Sequence, residues 1–161
     1  MNGLHVSSEI ILSVLKDKAV YNDSLSHHFR RATWSGVGNL LGISTAGYEA
    51  LKTEGLDIIS SKKTRSEIID YFDNELQELK VRIERPLVQK VITEEYYIKS
   101  FYQSYDKAFI PIEYDQLIED QFCYSLYMKL YTERKVLIMF ISRALERAEQ
   151  VLVLIKDELG E

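Results

Sequence analysis

The run from Ile138 to Leu159, IMFISRALERAEQVLVLIKDEL, decides the fold class. Ile138, Ile141, Leu145, Ala148, Leu152, Ile155 and Leu159 recur at alternating steps of three and four. That is the period of an α-helix with one apolar seam, held long enough for coiled-coil-like packing. It predicts that Ile141, Leu145, Leu152 and Ile155 are buried. Followed backwards at the same steps, the seam passes through Arg134, Tyr131, Tyr127, Tyr124, Asp120 and Leu117. Its N-terminal half is therefore mostly tyrosine where its C-terminal half is aliphatic. The last helix is expected to begin after the loop Asp106 to Ile112, marked by Pro111, and to end near Leu159.

Upstream, apolar residues at helical spacing run through Ile68, Phe72, Leu76, Leu79, Ile83, Leu87, Val91, Ile98, Phe101 and Tyr105. Thr64 with Glu67 three residues on reads as a capping box that starts this helix. Pro86 falls inside the run, where proline kinks or ends a helix. Ile83, Leu87 and Val91 keep their spacing of four across it, which predicts one kinked helix from Thr64 to Tyr105. An earlier helix is expected from Ser8 to Trp34, capped by Ser7 or Ser8 and weakened at Tyr21-Asn22-Asp23-Ser24. Ser35-Gly36-Val37-Gly38-Asn39 stops it. A short helix, Ala46 to Thr53, ends at Gly55 in the C′ position, and Leu56-Asp57-Ile58-Ile59 tucks under the bundle end. No strand pattern competes. The expected fold is all-α: an elongated antiparallel helical bundle with long, partly coiled-coil helices and a short capping helix.

Composition agrees with this and closes off several functions. A length of 161 residues suits a single helical-bundle domain over 1–161. With 46% apolar and 28% charged residues the chain is globular rather than disordered. Only seven Gly and two Pro argue against a turn-rich all-β fold. A single cysteine, Cys123, excludes an internal disulfide and a cysteine zinc site, and reads as a small buried hydrophobe. A net charge of −5 gives no footprint for nucleic acid. The longest uninterrupted apolar run, Val136 to Ile141, is far short of the ~20 residues that span a membrane. Met1 to Ser8 has no signal-peptide pattern.

The chemistry-bearing residues concentrate at the tyrosine end. In an antiparallel hairpin centred near residues 109–110, Glu95 lies level with Tyr124, and Glu94 or Glu95 interrupts the facing apolar stripe. Glu95, Tyr124, Tyr127, Tyr131 and Arg134 are thus the candidate ligand-binding residues, for a small polar or aromatic ligand held between helices. The plainer interpretation is a tyrosine layer whose hydroxyls reach water. No activated nucleophile accompanies the carboxylate, so no catalytic residue, cofactor or metal is expected. His27 and His28 point about 100° apart on a helix and read as surface residues.

Ile43-Ser44-Thr45-Ala46-Gly47-Tyr48-Glu49-Ala50-Leu51-Lys52, then Gly55 to Ile59 and Thr64 to Tyr71, resemble a recurrent pattern. Tyr114 to Phe122 with the closing helix resembles the C-terminal half of the same family. It is an uncharacterised bacterial family in which one N-terminal transmembrane helix precedes an all-helical soluble domain. The resemblance covers about residues 9–159 and carries over no catalytic residue. It implies a domain on the extracytoplasmic face of the inner membrane, anchored by a segment absent from this chain; without it the expectation is cytoplasmic. The function so implied is non-enzymatic sensing or protein interaction, with a protein partner or homo-oligomer. The alternative is a soluble structural helical module that oligomerises through its coiled-coil seam.

Overall fold

A computed structural model of the chain describes residues 2–33, 43–84, 87–104 and 108–160. The chain is mostly helical and divides into two compact units. The first takes Met1–Gly36 and Pro86–Val136, and the second Val37–Arg85 and Leu137–Glu161.

In the first unit, α1 (Asn2–Asp17) and α2 (Ser24–Thr33) pack as a pair. The helix starts earlier than the Ser7–Ser8 cap predicts. Both serines lie inside α1 and are buried, because they share a face with Ile11, Leu12 and Leu15. Ser7 Oγ donates to Gly3 O at 3.0 Å, so its hydroxyl is satisfied within the helix. The weak middle of the predicted first helix is a true break. Lys18 adopts φ +49°, a left-handed turn that ends α1.

Helix α6 (Leu87–Ser100) stops well before Tyr105. Phe101–Gln103 forms β1, which pairs antiparallel with β2 (Phe109–Pro111) in the register Phe101↔Pro111, Tyr102↔Ile110. Aromatic and β-branched side chains favour this ribbon over another helical turn. This small sheet corrects the strand-free expectation. α7 (Tyr114–Glu119) follows, and Asp120 turns extended before α8 (Gln121–Leu159). Asp120 Oδ1 accepts from Phe122 N–H at 2.8 Å, the geometry of an N-cap. The last helix is therefore two helices, with the break where a capping aspartate lies in the apparent seam. The core of the unit is Ile11, Leu15, Leu25, Phe29, Tyr97, Phe101, Cys123 and Tyr127.

In the second unit, α3 (Ala46–Glu54) ends at Gly55, whose φ of +102° is the left-handed region that favours glycine. Ile59 is buried beyond it, against Tyr48, Ile68 and Val151. α4 (Lys62–Asp70) is capped by Ser61, whose hydroxyl accepts from Thr64 N–H. Thr64 is thus the third residue of the helix, not its cap. Glu158 Oε1 accepts from Ser60 N–H and Ser61 N–H at the same helix start. A wide π turn, Tyr71–Glu75, joins α4 to α5 (Leu76–Glu84). Continuity across Arg85 and Pro86, and the stop at Ser35 to Asn39, lie outside the described residues.

On α8 the buried row is not the predicted seam. Ala144 and Val151 are buried, while Leu145 and Leu152 are 60% and 51% exposed. Ile141, Ala148 and Ile155 are half-buried. The seam and the buried row share these three residues but use opposite neighbours. The C-terminal half of the helix is turned by about 50° from the expected phase. The second unit selects the narrow Ala144 and Val151 because Leu76, Leu79 and Ile68 approach closely on that side.

Candidate functional site

Helices α6 and α8 bring most of the tyrosine into the core of the first unit. Thr93, Tyr96, Tyr97 and Ser100 fall at steps of three and four and so share one face of α6. Cys123, Tyr124, Tyr127, Tyr131 and Arg134 do the same on α8. The level predicted from the hairpin holds: Tyr96 packs on Phe122 at 5.0 Å and Tyr97 meets Tyr127 at 6.4 Å. The facing residues differ. Glu94 and Glu95 are exposed, and Glu95 pairs on the helix surface with Lys99 Nζ at 2.6 Å. That hydrogen bond holds the Glu95 carboxyl below its usual range. Ile98, expected in the stripe, is also exposed.

The interior is filled by rings. Tyr127 is fully buried, with its ring 5.8 Å from Phe29, and Tyr97 lies 5.5 Å from Phe109. The Tyr127 hydroxyl reaches Phe29 O only at 3.5 Å, and the Tyr97 hydroxyl is buried without a hydrogen-bond partner. An unsatisfied buried hydroxyl costs about 1–3 kcal/mol, which the aromatic packing must offset. Burial pushes both phenols well above their ordinary pKa. Burial also raises the Cys123 thiol to about 12, and the Tyr96 hydroxyl beside it opposes this only in part. A thiol so held stays protonated and is a poor nucleophile.

The remaining predicted residues tie helices together. Arg134 donates to Ala32 O at 2.9 Å, in the last turn of α2, and to Ser8 Oγ on α1. A cation there satisfies an orphan carbonyl and suits the negative end of the helix. Burial lowers the Arg134 pKa, and Tyr97 partly opposes this. Tyr131 donates to Glu9 Oε1 at 3.1 Å and stacks on His5 at 4.9 Å. Tyr124 is half-buried at the edge of the same core. Four of the five predicted residues therefore lie along one face of α8, and Glu95 lies apart on the surface of α6.

Beside this layer is a half-open groove of about 300 Å³. Tyr96, Lys99, Ser100, Glu113, Gln116 and Asp120 supply its polar lining. Tyr96 donates to Asp120 Oδ2 at 2.8 Å, and burial is the first cause of its raised pKa. The sequence signal for this groove was present in Tyr96 and Asp120, but the α7–α8 break that shapes it was hidden.

Two further arrangements were missed. His28 Nδ1 lies 3.1 Å from Ser7 Oγ, whose hydrogen goes to Gly3 O, so the imidazole donates. Burial, then Arg31 and His27, lowers the His28 pKa. In the second unit Arg147 contacts Glu67 at 2.7 Å, Glu75 at 3.2 Å and Asp70 at 3.4 Å. These acids come from α4 and the π turn, so their approach to Arg147 was not visible as spacing. Along the other side of α8, Leu145, Leu152 and Leu159 form an exposed apolar edge, the last at 67%.

Among the described residues no cluster of three His, Cys, Asp or Glu could hold a metal ion. Among them, too, no helix is long and apolar enough to cross a membrane. No protein-family model, curated protein or solved structure matches the chain.

Proposed function

We propose that the chain is a non-enzymatic protein-interaction domain that uses the C-terminal half of α8. The observation that carries this is the exposed edge of Leu145, Leu152 and Leu159, set at heptad spacing. Leucines aligned on one helix face and left in water are the pattern of a partner-binding helix. The ring-filled interior of the first unit favours interaction over a ligand held between its helices.

The wider setting rests on the resemblance alone. It makes the chain the extracytoplasmic part of a membrane-anchored bacterial protein. The elongated antiparallel bundle and its coiled-coil-like packing belong to the same reading. The soluble, self-associating structural module remains the alternative setting, and it uses the same edge of α8.

A photo-reactive residue placed at Leu152 in the producing cell tests the interaction. It should give a discrete cross-linked product, and the same probe at exposed Lys129 should not. Equal, diffuse labelling from both positions would overturn it. The second reading is sensing of a small polar ligand, favoured by the groove at Tyr96 and Asp120. Thermal-shift screening of small metabolites should then give a hit that Asp120→Asn and Gln116→Ala both remove.

A further inference from the structure

On the interaction reading, the occupant of the α8 edge still has to be chosen. The charges beside the leucines choose it. One step of four beyond each leucine-row position lies a second row, about 40° around the helix. It holds Ser142, Glu149 and Lys156. Glu149 and Lys156 are both exposed, and Val153 and Met139 widen the apolar surface on the far side of this row. The point midway between Glu149 and Lys156 falls between Leu152 and Val153, at the middle of the exposed leucine run.

We propose that a second copy of this chain docks on this edge, antiparallel, with its two-fold axis at Leu152–Val153. A two-fold axis requires a surface that complements itself when reversed. Here reversal places Glu149 opposite Lys156 of the second copy, and Lys156 opposite its Glu149. Each row then faces the same row of the second copy, so Leu152 meets Leu152 beside the axis and Leu145 meets Leu159. A parallel copy in register would set Glu149 against Glu149 and Lys156 against Lys156, which is repulsive at both places. An unrelated partner has no reason to require opposite charges at equal distances from the centre of the stripe. A single helix edge is a narrow surface, and narrow interfaces belong to weak, transient association. The association is therefore weak, with a midpoint of order tens of micromolar.

The test joins cross-linking direction to association strength, in the full chain with native Cys123, which is buried. Glu149→Cys and Lys156→Cys variants are oxidised separately and mixed. The mixture should give a covalent dimer, and each variant alone should not. Each variant cross-linking with itself as fast as in the mixture would overturn the antiparallel arrangement. In sedimentation equilibrium, Glu149→Lys should weaken association about tenfold, and Glu149→Lys with Lys156→Glu should recover most of it. No recovery would also overturn the pairing. Leu152→Glu should give monomer at every concentration with its helical circular dichroism unchanged. A wild type that stays monomeric to ~200 µM, tenfold above that midpoint, would overturn the second copy. In that case a Leu152 photo-product whose mass differs from twice the chain would leave the interaction reading standing.

Discussion

The two units solve the burial problem differently. The first draws large rings inward: Phe29 and Tyr127 are fully buried and Tyr97 nearly so. It accepts the cost of two poorly satisfied hydroxyls in return for dense aromatic contact. The second builds two smaller clusters around Tyr48, Ile68 and Val151, and around Leu76, Leu79 and Ala144. It fastens them with Arg147 and its three carboxylates, and leaves whole leucines outside. One helix, α8, supplies both units, tyrosine to the first and aliphatic residues to the second. Identical helical periodicity along α8 therefore carries two meanings. In the first half it marks the interior, and in the second half it marks the border between interior and exposed edge.

The largest test of that contrast is Phe29→Ala. A fully buried ring in a closed aromatic core should cost about 3–5 kcal/mol in urea unfolding. A loss under about 1 kcal/mol would mean that the first unit is not a closed core. Next is Arg147→Met, which keeps the apolar stem but removes the charge. It should cost about 1–3 kcal/mol, because Glu75 and Glu67 lose a charged hydrogen-bond donor. A neutral result would reduce the cluster to surface decoration.

Tyr127→Phe should cost only about 1 kcal/mol or less, since the hydroxyl's single bond is long. A larger loss would mean that the hydroxyl and not the ring is what the first unit needs. The smallest effect is a pH slope. His28 has a lowered pKa when folded, so the unfolded chain binds more protons below the ordinary value of about 6.5. Its contribution is fully present above that pH and is lost as pH falls through the folded pKa. His28→Asn should flatten the stability profile below about pH 6.5. Profiles of equal slope would remove His28 from the account.

Helical content was legible because it depends on local periodicity, and the period near 3.6 is unmistakable in α1, α4, α5 and α8. The α1–α2 break was visible at Tyr21 to Ser24, and the short α3 with its Gly55 stop was read to within one residue. What failed was phase and punctuation. Asp120 looks like a seam residue until its side chain is seen capping α8. Phe101 sits in the helical stripe and is buried, yet from a strand. Leu145 and Leu152 fit the seam as well as Ala144 and Val151 fit the buried row. The choice between them is made by how closely α4 and α5 approach, which no local pattern encodes. The tyrosine level was readable from the hairpin, but Tyr96 and Tyr97 turn inward where Glu95 was expected.

The most direct test is a pair of truncations on adjacent residues, Val151→Ala and Leu152→Ala, measured by urea unfolding at about 1 µM, below any association. With Val151 buried and Leu152 on the free edge, Val151→Ala should cost about 1–3 kcal/mol and Leu152→Ala under about 0.5 kcal/mol. The reverse order, with Leu152→Ala costing about 2–5 kcal/mol, would restore the seam as the core. It would also remove the exposed edge on which the interaction rests.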